Sequence, residues 1–132
     1  MLKNPAIRAP VAIGLGAVAG ALSRYYIGAW FVQIFGTAMP YGTLFINISG
    51  CFLMGFFATL SLERIITIHP DVRLLVTTGF LGSYTTFSTY ELDTARLLER
   101  SWESDLPYWA GSALLGLFAL QVGAALAEVL RT

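Results

Sequence analysis

Polar side chains are scarce in this chain, and their spacing is what suggests chemistry. Thr43 and Asn47 stand one helical turn apart in "GTLFINISGCFLMG", and Tyr108 and Ser112 repeat that spacing in "YWAGSALLGL". Four residues of separation place both groups of each pair on one helix face. A third group lies in "GFLGSYTTFSTY", residues 79–90, where Ser83, Thr85, Thr86, Ser88 and Thr89 follow two glycines. Donors lined up in apolar surroundings either glue helices together or replace the water around a passing solute. Arg24 is the one cation well inside an apolar segment, and no carboxylate occupies the central part of any such segment. That asymmetry favours an anion near the donors; an arginine reaching up to a membrane interface is the plainer alternative.

The elements that must hold these groups are membrane spans. Of 132 residues, 56% are hydrophobic and only 12% charged, too apolar for a soluble domain. A span takes roughly 20 residues, and the apolar runs place four, at about 10–31, 43–62, 74–98 and 108–126, in a single membrane domain over residues 1–132. Lys3 and Arg8 ahead of the first run imitate a signal peptide, but the run is too long and lacks a small-residue cleavage site, so it reads as a retained span. The loop "ERIITIHPDVR" closes the second span. The third is expected to continue as an amphipathic surface helix through "ELDTARLLERSWESD", with Leu92, Leu97 and Leu98 on its apolar side.

An even number of spans puts both termini on one side, together with Lys3, Arg8, Arg64, Arg73 and Arg131, against Arg24, Arg96 and Arg100 on or near the other. So small a bias fixes orientation weakly and leaves room for insertion both ways. Gly16 with Gly20, Ser112 with Gly116, and Gly123 with Ala127 keep the four-residue spacing that lets helix backbones touch, within the chain or between copies.

Several chemistries are excluded. There is no Ser/His/Asp set, phosphate-cradling glycine loop or membrane carboxylate pair, so the chain is not expected to be an enzyme. His69, beside Pro70 and Asp71, has no Cys or His companions for a metal. Cys51 stands alone, forms no intrachain disulfide, and reads as a small buried apolar residue. Balanced charge, eight basic against eight acidic residues, gives no sign of a nucleic-acid partner.

In the third span, Gly79 and Gly82 weaken the helix while the hydroxyls compete for its backbone groups, so a break is expected there. Broken backbone at membrane depth survives only when buried in protein or lining a cavity, and it frees carbonyls for a cation and amides for an anion. Phe87 and Tyr90, three apart, share a face beyond the break, and their positive ring edges can flank an anion.

"GAVAGALSRY" (16–25), "GTLFINISGCFLMG" (42–55) and "GFLGSYTTFSTYELD" (79–93) resemble, in order and in the right spans, the fluoride channels of the CrcB/Fluc family. The resemblance implies an all-α integral membrane subunit of four transmembrane helices, the third broken near its middle. It also implies an antiparallel, dual-topology homodimer in the bacterial inner membrane, with two pores that lower cytoplasmic fluoride. By position, Asn47 is similar to the pore asparagine, and Thr43, Tyr108 and Ser112 to further members of a polar track. Phe87 resembles the first residue of a phenylalanine pair, Arg24 a vestibule arginine, and Asp93 an acidic position near the pore mouth. Gly82 and Thr85 resemble the carbonyl donors to a structural sodium ion at the dimer centre. Tyr90 departs from the family's usual Phe, and its phenol raises the prospect of direct donation to fluoride.

Two other readings compete. A small dimeric drug/proton antiporter also has four short spans, but it needs a mid-span carboxylate. A non-transporting assembly subunit would use the polar track as packing glue, and the absence of anion flux would mark it.

Overall fold

A computed structural model describes residues 3–131, and among them every regular element is helical. α1 spans Pro5–Phe35, α2 Tyr41–Leu62 and α6 Trp102–Val129. At 31, 22 and 28 residues, each is long and apolar enough to cross a bilayer. α1 overruns 10–31 at both ends because caps, not hydropathy, decide where the backbone stops. The Asn4 side chain accepts the Ala6 N–H at 3.0 Å with Pro5 following it, and Gly36 closes the helix at φ 75°.

Between α2 and α6 the third apolar segment is divided. α3 (Pro70–Leu74) passes into a π-helical stretch, Leu75–Leu81, then a single turn, α4 (Gly82–Tyr84), and after a break α5 (Phe87–Arg100). The break falls at Thr85 and Thr86, whose backbones are extended (φ −78°, ψ 155° and φ −148°, ψ 116°). It falls among the hydroxyls of the run expected to break, three residues past Gly82. Gly79 is buried against the α1 backbone at Ile13 and Gly16, and Gly16 and Gly20 in turn abut the backbone at Leu75 and Phe80. The glycines allow close contact, and the Ser83 hydroxyl pins the same seam by donating to the Ala17 carbonyl at 2.9 Å. The Gly16/Gly20 pair thus makes a contact within the chain.

α2 and α6 pack along a second close seam. Gly55 lies against the Leu120 carbonyl and Gly123 against the Phe52 carbonyl, while Gly116 faces the sulfur of Cys51, which is half-buried rather than enclosed.

α5 does not extend through Asp105. Ser101 is extended (φ −166°, ψ 118°); its N–H donates to the Leu97 carbonyl at 2.8 Å and its own carbonyl accepts from Ser104 and Asp105 at 3.2 Å. One residue therefore ends α5 and starts α6, and the chain folds back on itself. Of the three leucines expected on an apolar side, only Leu97 is buried; Leu92 and Leu98 are exposed. At the opposite end, Arg8 pairs with Asp71 and Arg131 with Glu63, and the His69 Nδ1 caps α3 by accepting the Asp71 N–H at 3.1 Å.

Candidate functional site

The site is built around one side chain that holds the break open. Asn47 Oδ1 accepts the Thr86 N–H at 2.8 Å, and its Nδ2 donates to the Thr86 carbonyl at 3.1 Å. A primary amide matches a backbone peptide in both senses, so Asn47 takes the place of the helix at Thr86. The carbonyls of Gly82 to Thr85 lose their ordinary helical partners at the break. Gly82 would receive the Thr86 N–H, which Asn47 takes; Thr85 would receive the Thr89 N–H, which the Thr86 hydroxyl accepts at 3.2 Å while capping α5. Ser83, also beside the break, is satisfied from α1 by the Arg24 Nε at 3.0 Å.

Thr43, one turn before Asn47, donates to the Asp93 carboxylate at 2.8 Å and ties α2 to α5. Two cavities meet at Thr86. One, about 380 Å³, is lined by Arg24, Thr43, Thr86 and Thr89; the other, about 210 Å³, by Asn47, Thr85, Thr86, Phe87 and Tyr90. A larger groove, about 870 Å³, lies among aromatic and aliphatic side chains of α1, α2 and α6 and offers an ion almost nothing polar.

The aromatics form a ladder. The Phe87 and Tyr90 rings lie 5.9 Å apart and the Tyr90 and Tyr108 rings 5.7 Å apart. The Tyr90 hydroxyl is committed to the Trp109 carbonyl of α6, so the phenol is not a free donor in the cavity. Tyr108 and Ser112 are 4% and 9% exposed, and both hydroxyls are buried without a partner among the described residues. They line neither cavity at the break but continue from it along α6. Asn47, Thr43, Arg24, Phe87, Tyr90, Gly82 and Thr85 are thus gathered at the break, with Tyr108 beside Tyr90 and Ser112 one turn on.

Neither Thr86, one of five serine and threonine hydroxyls in its run, nor Asp105 stood out from sequence. Thr86 is the hub of the break, and its signal was the hydroxyl placed immediately before a helix, the usual N-cap position. Asp105, 7% exposed and with Oδ1 unpartnered among the described residues, stands three residues before Tyr108 on the same α6 stripe.

Residues 11–124 match the model of the family described as CrcB-like protein, Camphor Resistance (CrcB). The chain belongs to the CrcB family. It is 59% identical over 93% of its length to the fluoride-specific ion channel FluC of Trichormus variabilis, covering 90% of that protein. It is 52% identical over 98% of its length to the FluC of a Synechococcus strain, covering 100% of it, and 45% identical over 88% to that of Chloroflexus aurantiacus, covering 92%. In this CrcB chain, the residues gathered at the broken helix lie within the matched region.

Proposed function

We propose that the chain is a fluoride-selective passive ion channel of the bacterial inner membrane that exports fluoride from the cytoplasm and confers fluoride resistance. The observation that carries this reading is the Asn47 clamp at a broken helix beside unpartnered hydroxyls, in a chain similar to fluoride-specific channels along nearly its whole length. Fluoride is small and tightly hydrated, so a pore must supply donors in place of water while leaving no one of them too strong for release. The second N–H of the Asn47 amide and the hydroxyls of Tyr108 and Ser112 are such donors, with Thr43 holding Asp93 at the mouth and Arg24 attracting the anion. Phe87, 74% exposed beside the clamp, has a positive ring edge with which to flank an anion.

The full assembly is a four-span subunit, with spans at about 10–31, 43–62, 74–98 and 108–126, paired with an inverted copy in a dual-topology homodimer. The exposure of Phe87 and Gly82 at the break supports a partner there. The Gly82 and Thr85 carbonyls, deprived of their helical donors, suit a hard cation with oxygen ligands. A sodium ion held by them would neutralise the broken backbone and fix two copies together. Exchange of sodium for N-methylglucamine is accordingly expected to lower the unfolding midpoint of the purified dimer and slow fluoride flux; an unchanged midpoint and flux would remove the ion from the assembly.

Tyr90→Phe is expected to retain flux within about threefold and to cost about 1 kcal/mol of stability, since it removes one hydrogen bond to a helical carbonyl. Flux measured beside thermal unfolding checks this; loss of flux at unchanged stability would make the phenol a direct ligand. The antiporter reading lacks a mid-span carboxylate, since Asp105 stands in the first turn of α6. In a host without its own fluoride exporter, expression should restore growth in fluoride, and failure of the membrane-inserted protein to do so would count against the export role.

A further inference from the structure

At the far end of α5 from the break, Arg96 and Arg100 stand one turn apart and line a cavity of about 270 Å³ together with Thr37 and Asp93. Neither arginine belongs to an ion pair among the described residues, although Glu99 and Glu103 are close in sequence. The Asp93 carboxylate, the one acid lining the cavity, accepts the Thr43 hydroxyl at 2.8 Å. A neighbouring cavity of about 280 Å³ shares Thr37, Asp93 and Arg96 with it and reaches Thr43. The pair therefore flanks the approach to the polar track.

We propose that Arg96 and Arg100, with the Thr37 hydroxyl, form a binding site for a phosphate-class oxyanion. Two planar guanidiniums present forked donors that match the oxygens of a tetrahedral anion, whereas a single halide uses only one donor from each. The cavity is far larger than a bare halide requires. Its surroundings place it at headgroup depth: Trp30, Phe35, Tyr41 and Trp102 are exposed at the same end of the helices, where amphipathic rings mark a membrane interface. The phosphate can come from an anionic lipid headgroup or from solution, and unpaired basic residues at that depth attract either. Occupancy beside the mouth would modulate fluoride access, a consequence that rests on the channel reading; the binding itself does not.

The test is the unfolding midpoint of the detergent-purified full chain, measured with millimolar inorganic phosphate, with phosphatidylglycerol, and with phosphatidylcholine at matched ionic strength. Phosphate or phosphatidylglycerol is expected to raise the midpoint by about 3 °C. The rise should vanish in Arg96→Gln/Arg100→Gln and persist in Arg64→Gln/Arg73→Gln, which removes charges at the opposite end. A rise with phosphatidylglycerol alone assigns the site to a headgroup, and one with inorganic phosphate alone to a free anion. No rise with either, or an equal rise in the Arg96/Arg100 variant, overturns the site. Because the readout is stability and not transport, a channel that fails to conduct and a site that fails to bind are separate results.

Discussion

Asn47→Asp is expected to abolish fluoride flux, with a loss of at least about 100-fold, and to destabilise the protein by about 2–4 kcal/mol. The carboxylate can still accept the Thr86 N–H, but it has no donor for the Thr86 carbonyl, which then faces a second acceptor instead of an N–H. It also places negative charge where an anion must pass, and it removes the remaining amide donor. Asn47→Gln separates the roles, since it keeps both hydrogen-bonding senses but moves the amide outward. Its flux should fall while more of the stability survives. Thermal unfolding and fluoride-electrode flux on the same preparations check both; an active Asn47→Asp variant would take Asn47 out of the pathway.

Gly55→Val is expected to prevent folding or to cost more than about 3 kcal/mol, because any β-carbon at Gly55 falls inside the shell of the Leu120 carbonyl, which is backbone and cannot swing away. Gly123→Val should act alike through the Phe52 carbonyl. The two lie on the α2–α6 seam, where close backbone approach supplies the packing that hydrophobic exclusion cannot supply in lipid. Gly14→Ala is the matched control: nothing among the described residues lies within 4 Å of its β-carbon position, so it should be neutral or gain up to about 1 kcal/mol of helix propensity. Size-exclusion profiles and unfolding midpoints separate these outcomes. A well-folded Gly55→Val would show that the seam can part without penalty.

These residues also show what was legible in the sequence. That the chain builds long apolar helices was, because a bilayer demands them, and α1, α2 and α6 are long and apolar enough to cross one. That the third segment breaks was legible too, from its hydroxyls and glycines. Which residue leaves the helix, and what holds it, was not, because the decisive groups are 39 residues apart in sequence: Thr86 leaves the helix when Asn47 takes its N–H and carbonyl. Periodicity along one segment does not contain that contact. Nor could it show that Gly79 serves packing against α1, since a glycine that weakens a helix and one that lets a neighbour approach look alike in sequence.

The same limit applied at the α5–α6 junction. "ELDTARLLERSWESD" carries strong helix formers on both sides of Ser101, so local propensity predicted continuity, and the reversal depends on α5 packing back against α6. Among the candidate residues, the sharing of one helix face by Thr43 and Asn47, and by Tyr108 and Ser112, was readable by spacing. Their uses diverge in three dimensions: Thr43 is spent on Asp93 and Asn47 on Thr86, while Tyr108 and Ser112 keep unpartnered hydroxyls. The phenol of Tyr90 was readable as a donor but not as one already engaged by Trp109.

The most direct measurement is efflux from liposomes loaded with potassium fluoride or, separately, potassium chloride, with valinomycin added to remove the electrical limit. A fluoride-selective pore predicts rapid fluoride loss and chloride loss near that of protein-free liposomes. Absence of fluoride loss from well-folded protein, or chloride loss at the same rate, would contradict it.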